Sequence, residues 1–352
     1  MTFGSYRPDE VTWLLTDLSD VDLEVATEDR EELIQGGRPY YEMLPVEYQP
    51  DPAYSRLFHQ ALDDSAERVA VAVGLVAELV LATKPAPVLV SLARAGTPVG
   101  ILVRRWLARH GVDAPHYAVS IVRGHGIDDV ALRHVLARHP ADQVQFVDGW
   151  TGKGAIAREL RAAVDGLDSD LAVLADPGGC TPLFGTRDDF LVPSACLNST
   201  VSGLVSRTVY RPDLIRPEMF HGAKHYAELA PADVSNLFLD RVSGCFDTVA
   251  DEVALRLPAL LAADRTPTWS GWAAVQRVAE AHGIDDLNLV KPGVGETTRV
   301  LLRRVPWRVL VRPDRLADLQ HVLHLARARD VEVVEQDDLP YSCVGVIRQV
   351  RR

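Results

Sequence analysis

The chain has 352 residues, 37 Lys plus Arg against 49 Asp plus Glu, and a formal net charge of -12 with His neutral. With 47% apolar and 24% charged residues, it has the composition of a globular protein of about two domains, which excludes a largely disordered chain. The acidic total argues against a protein built mainly to coat nucleic acid. The charge is uneven, however: residues 286–352 carry 12 basic and 9 acidic side chains, whereas the first fifty carry 3 and 12.

The N-terminus, Met1 to Tyr6, lacks the basic start and apolar run of a signal peptide. Acidic patches and turn signals such as Gly36-Gly37-Arg38-Pro39 fill residues 1–55. Residues 56–83 have helical periodicity. Their most apolar part, Val69 to Thr83, is too short for a membrane span and contains Glu78, so a buried helix is expected. Val88 to Leu92 reads as a buried strand, and Gly96-Thr97-Pro98 starts a helix that runs to Gly111. A second strand spans Tyr117 to Val122; the loop Arg123 to Asp128 and a helix to His139 follow. Val144 to Val147 is a third strand, Ala155 to Val164 a helix, and Leu171 to Ala175 a fourth strand. Short strands, apolar on both faces and alternating with helices, predict an α/β fold with a parallel, Rossmann-like sheet. Residues 183–262 are less regular, with a helical segment near 231–261. Asp264 to Ser270 is the linker candidate, giving domains 1–263 and 271–352. Within the first, the N-terminal and 183–262 segments would form a hood.

In such a sheet the C-terminal strand ends share one edge, where ligands bind. That edge collects Arg94-Ala95-Gly96, Arg123 to Gly126, Asp148 to Gly154 and Asp176 to Gly179. Thr151-Gly152-Lys153-Gly154 offers a hydroxyl, backbone N–H groups and an ammonium before a helix, which suits a phosphate monoester. An ordinary strand-to-helix turn fits the same residues, and neither the P-loop nor the dinucleotide-binding spacing is present. Asp148 could accept hydrogen bonds from a ribose diol or cap a helix. Arg94, Ala95 and Gly96 could hold a second anion. Arg123 and His125 sit in a loop that could close over the site or be merely mobile.

At these residues the chain resembles the type I phosphoribosyltransferases. Ser91 to Gly96, Ser120 to Asp128, Phe146 to Ile156, Pro193 to Val209 and Phe220-His221-Gly222 are similar to a bacterial subgroup of tellurite-resistance and stress operons. That subgroup is the StiP family, which also carries a cysteine protease label. The resemblance covers roughly residues 1–260. It implies that Thr151, Gly152, Lys153 and Gly154 hold the 5'-phosphate of phosphoribosyl pyrophosphate, that Asp148 binds the diol, and that Arg94, Ala95 and Gly96 form the pyrophosphate loop. It implies Mg²⁺ bound mainly through substrate oxygens, with Asp148 or Asp176 able to contribute. Pyrophosphate would be displaced by a nucleobase-like or other nitrogen acceptor, with Asp148, Arg123 and Asp176 as the catalytic set. One position departs from the family pattern: Gly149 stands where a second acidic residue is typical, and Asp176 could supply the missing contact. Cys196, Asn198, Ser199 and Thr200, with Ser202, are expected to line the acceptor pocket.

The alternative chemistry is that of a cysteine peptidase, with Cys196 as nucleophile, His221 or His225 as base, and Asp176 or Asn198 as orienter. No local peptidase signature surrounds Cys196, and a Cys between Ala195 and Leu197 is commonly a buried small hydrophobe. The four cysteines, Cys180, Cys196, Cys245 and Cys343, show no CxxC pairing. They read as reduced thiols of a cytoplasmic protein. His221 and His225 are four apart, but Gly222 between them weakens a helical metal pair.

The last segment alternates again: Leu287 to Val290, Trp307 to Val311, a helix Leu316 to Arg329, Val331 to Glu335 and Cys343 to Val350. This suggests a small αβα sandwich. Gly293 to Val300 resembles the RNA-contact element of the Pelota-type fold. The resemblance implies that Gly295, Glu296, Thr298 and Arg299 meet RNA, with Arg303, Arg304 and Arg308 as phosphate partners. A helix-capping turn fits the same residues. The expected partners are therefore phosphoribosyl pyrophosphate, a small acceptor and RNA, with no membrane; a homodimer is compatible with the sequence.

Overall fold

A computed structural model describes residues 3–47 and 49–349. Residues 1–2 and 350–352, at the outer ends of the two expected domains, lie outside the described residues, as does residue 48.

The first unit is built on a parallel sheet. Its strands are β1 (Thr12–Leu14), β2 (Val88–Ala93), β3 (His116–Val122), β4 (Gly126–Ile127), β5 (Val144–Trp150), β6 (Ala172–Ala175) and β7 (Phe184–Thr186). The order is β1-β3-β2-β5-β6-β7, all parallel, with β4 antiparallel on β3. From β2 the chain steps to β3 on one side and then crosses to β5 on the other. The crevice between β2 and β5 is therefore the switch point at which an open α/β sheet binds its ligand. Strand residues such as Leu89, Val90, Phe146, Val147, Val173 and Leu174 are fully buried, because helices cover both faces.

The helices of the first unit are α1 (Thr27–Gln35), α2 (Pro52–Thr83), α3 (Gly96–Arg109), α4 (Asp129–Leu136), α5 (Ala155–Ala163), α6 (Ser235–Ser243) and α7 (Phe246–Ala262). The longest, α2, starts where the Asp51 carboxylate accepts from the Tyr54 N–H at 2.7 Å and Pro52 takes the first turn. It ends before Pro85. Val69 to Val80 is almost wholly buried except Glu78, against α3 (Gly96–Arg109), α7 (Phe246–Ala262), β6 and β7. This is the buried helix that the apolar run predicts. No helix of the described residues is long and apolar enough to cross a membrane.

After α7 and the stretch 263–269 comes α8 (Ser270–Ala281). The second unit continues with β8 (Val290–Pro292), α9 (Val294–Arg303), β9 (Pro306–Val311), α10 (Gln320–Ala328), β10 (Glu332–Glu335) and β11 (Cys343–Ile347). Its sheet order is β8-β11-β9-β10, with only β9 and β10 parallel. Alternation along the strands divides two cores. Leu310, Val344 and Val346 pack with α8. Val309, Val311 and Cys343 pack with α9 and α10 in a cluster that also holds α2 and α3. The units thus share one continuous apolar core. The segment expected as a strand over Leu287 to Val290 is a 3₁₀ turn, Leu287–Leu289, before β8. The helix expected from Leu316 begins as 3₁₀ over Pro313–Leu319.

Candidate functional site

The loops after β2, β5 and β6 meet at one edge, and the second unit lies over them. Gly96 opens α3 so close to β5 that a Cβ there would lie 2.4 Å from the Val147 carbonyl oxygen. Arg94 is buried; it donates to the Val205 carbonyl at 2.9 Å and to Glu47 Oε1 at 3.3 Å. Glu47 Oε2 in turn accepts from the Ser199 N–H at 3.1 Å and its hydroxyl at 2.9 Å. Arg94 and Ser199 are therefore joined through a carboxylate that no local motif marks. Ala95 lies beside Arg94 in the crevice that also reaches Asp148.

Asp148, at the end of β5, accepts from the Gly149 N–H at 2.8 Å. Burial pushes its carboxyl up to about 6, against the opposing effect of Arg299. The Thr151 hydroxyl donates to Asp176. Asp176 also accepts from the N–H groups of Cys180 (2.9 Å) and Thr181 (3.2 Å) and is paired with Arg187. Its lone pairs are spent inside the protein, so it acts as a clamp on the loop after β6. Lys153 donates to two carbonyls of the second unit, Leu287 and, at 3.2 Å, Val290. Burial, reinforced by Arg123, draws it down to about 8. The Gly152 carbonyl accepts from Tyr341 Oη at 3.3 Å. Gly154, at φ +77°, begins α5 (Ala155–Ala163). Arg123 donates to Asn288 Oδ1 at 3.0 Å and lies over the Tyr40 ring. Among the described residues, no group of three His, Cys, Asp or Glu side chains could hold a metal ion.

The expected thiol–imidazole pair is not assembled. Cys196 is fully buried, and burial pushes its thiol up to about 12. Its carbonyl accepts from Tyr54 Oη at 2.9 Å. The His221 ring instead pairs through Nδ1 with Ser120 Oγ at 2.9 Å, and the His221 backbone N–H donates to Asp128 Oδ2 at 2.5 Å. His225 donates its N–H to Ser19 Oγ. Residues 222–223 are extended, so the two histidines do not share a helix face. His125 stacks on Tyr210, centroids 3.8 Å apart, instead of closing over the edge. Asn198 and Ser202 line a narrow cleft with Arg94 and Arg299, whereas the Thr200 carbonyl accepts from the Val234 N–H.

Cys180 is the cysteine beside the glycine loop. Its thiol donates to the Gly152 carbonyl at 3.9 Å, the same oxygen that Tyr341 engages. A Cβ at Gly154 would touch both Cys180 Sγ (2.7 Å) and the Trp269 ring (2.6 Å). Burial pushes this thiol up to about 11, whereas Thr151 and Arg158 act to lower it.

The element expected to meet RNA faces inward. A Cβ at Gly295 would lie 2.2 Å from Trp150, and Arg299 covers the Trp150 ring at 4.4 Å while paired with Glu296 at 3.3 Å. Thr298 is buried; its hydroxyl donates to the Val294 carbonyl and meets His321 Nε2 at 3.1 Å. Arg304 is bound to Glu31 at 2.6 Å and Arg308 to Glu332 at 3.0 Å. Gly295 and Thr298 are buried, whereas Glu296 and Arg299 are half-buried and line the cavity between the units. The sequence assigns no role to Tyr40, Trp150 and Lys291, which lie at the junction of the two units, or to Glu47, which joins Arg94 to Ser199 within the first. The one local hint was Trp150, next to the glycine loop.

Comparison with known proteins gives two family matches. Residues 4–243 match the family described as tellurite-like stress resistance cysteine protease StiP. Residues 269–349 match the PELOTA RNA binding domain. The chain is 33% identical to the protein named cysteine protease StiP of Acinetobacter baylyi (strain ATCC 33305 / BD413 / ADP1), over 99% of this chain and 94% of that one. No solved structure matches the chain. These findings overturn the transferase expectation: family and relative are both named for a cysteine protease. Phosphoribosyl transfer, with phosphoribosyl pyrophosphate and a nitrogen acceptor as partners, is not what those names describe.

Proposed function

The chain belongs to the StiP family, and from that premise we propose that it is a cysteine peptidase acting through Cys180. Similarity along nearly the whole chain to a protein named a cysteine protease carries the reading. The geometry supports Cys180 over Cys196 as the reacting thiol. A nucleophilic thiol needs an electropositive setting. Cys180 lies at the start of α5, with Arg158 acting to stabilise its anion, whereas Cys196 lies in the apolar core with Tyr54 as its polar neighbour.

Cys180 is 2% exposed, and Trp269 and Tyr341 cover its loop. Catalysis on this reading requires the second unit to lift. The freed Cys180 Sγ would attack a peptide carbonyl, the amine leaving with a proton, and water would then release the acyl group from the thioester. The scaffold supports a phosphoribosyltransferase-like winding, with the loops after β2 and β5 on one crevice, here serving a different reaction.

The test is cleavage of an unfolded protein such as reduced casein by the purified full chain, with and without prior alkylation by iodoacetamide. Cleavage that alkylation abolishes is expected. Absent cleavage, or cleavage indifferent to alkylation, would reject the peptidase.

A further inference from the structure

Between the two units lies a cavity of about 470 Å³. Lysine and arginine are almost never buried without an acidic partner. This cavity departs from that rule: Arg30 is buried, and Arg207, Lys291 and Arg303 are half-buried. Arg30 is 3% exposed, and its Nε has no hydrogen-bond partner. Arg207 gives its Nη2 to the carbonyls of Tyr40 and Met43 and leaves Nε unpartnered. Lys291 and Arg303 line the same space from the second unit. None of the four is ion-paired among the described residues. Of the neighbouring carboxylates, Glu31 holds Arg304 and Glu296 holds Arg299, while Asp286, which also lines the space, accepts from the Asn288 N–H at 2.8 Å. Arg123 and Lys153, adjacent to these four, have only neutral oxygen partners.

The cations also repel one another. Burial draws Arg207 down to about 9, with Arg30 adding to the effect. Burial draws Arg30 down to about 10, with Arg304 contributing. Lys291 lies well below its ordinary value, through burial and then Lys153. Arg303 is lowered by burial and then by Arg299 and Arg94. Charges left in this state favour an anion that fills the space. One phosphate would neutralise at most two of them.

We propose that this cavity binds a compact polyanion carrying two or more phosphate groups, held by Arg30 and Arg207 of the first unit and Lys291 and Arg303 of the second. Because the cations come from both units, the ligand would lock the second unit onto the first. The cavity is small and bounded on both sides, which favours a small molecule over a nucleic acid strand. The inference is independent of the peptidase reading.

The test uses the full chain with inorganic tripolyphosphate, compared with orthophosphate and with NaCl at matched ionic strength. Tripolyphosphate is expected to raise the melting temperature by several degrees beyond either control, through preferential binding to the folded state. Arg303→Gln and Arg30→Gln are each expected to weaken tripolyphosphate at least tenfold by calorimetry. Without ligand, neither variant should melt below wild type, because each removes an unpaired charge. No shift beyond the salt control, or wild-type affinity in both variants, would overturn the proposal. So would an Arg303-dependent shift produced by single-stranded RNA and not by tripolyphosphate.

Discussion

Asp189 ties the two units together, and its removal tests how they are held. It lies just beyond β7. Its Oδ1 accepts from the Val294 N–H at 2.9 Å, the first N–H of α9, and its Oδ2 from the Ser342 N–H at 2.7 Å. The Ser342 hydroxyl closes the contact on the Asp189 carbonyl at 2.7 Å. Each N–H bond to the carboxylate, one of them at a helix start, contributes about 1 kcal/mol net of the cost of burying the charge. That cost shows in the carboxyl itself, which burial pushes up to about 6 against these same bonds. About 2 kcal/mol is therefore lost in Asp189→Ala. Native-state amide exchange measures this locally, and about 2 kcal/mol corresponds to roughly thirtyfold faster opening. The amides of Val294 and Ser342 should show it, while those of β2 and β5 should not. Unchanged protection at Val294 and Ser342 would refute the role given to Asp189.

Gly295→Val should lower the melting temperature by several degrees, because a Cβ there would lie 2.2 Å from Trp150 and overpacking costs about 1–3 kcal/mol; an unshifted transition would contradict the docking described. Asp176→Ala should destabilise by about 3–5 kcal/mol in urea unfolding, since it strands Arg187 and the N–H groups of Cys180 and Thr181; a loss below about 1 kcal/mol would count against the clamp. Asp148→Asn tests the raised carboxyl through pH. A group raised from 3.8 to about 6 contributes its stability in full below pH 3.8 and loses it as pH rises through 6, about 3 kcal/mol in all. The Asn variant should therefore gain on wild type between pH 4 and 7 and then hold level, and a difference independent of pH would contradict this account.

The strand–helix rhythm from Val88 to Ala175 is legible because each strand is apolar on both faces and each strand-to-helix turn carries glycine. The edge loops could be placed together for the same reason. The partners of those loops could not. Glu47 reaches Ser199 across 152 residues, and Trp150 meets Gly295 and Arg299 from the other unit. No local pattern announces such contacts. The -12 total similarly conceals a cationic cavity, whose members at 30, 207, 291 and 303 are scattered along the chain. The transferase expectation went astray through the Asp148 to Gly154 stretch. Its residue types suit a phosphate, but in the structure Lys153 serves carbonyls of the second unit and Thr151 serves Asp176. Cys196 stands among polar residues in the sequence but lies in the core, whereas no local pattern marks Cys180, which packs beside the glycine loop.

The central claim is that thiol chemistry at Cys180 cleaves peptide bonds. Casein cleavage by the full chain, Cys180→Ser and Cys196→Ser, each normalised to folded protein, tests it most directly. The account predicts that Cys180→Ser abolishes cleavage and that Cys196→Ser retains it. Full activity in Cys180→Ser would contradict it.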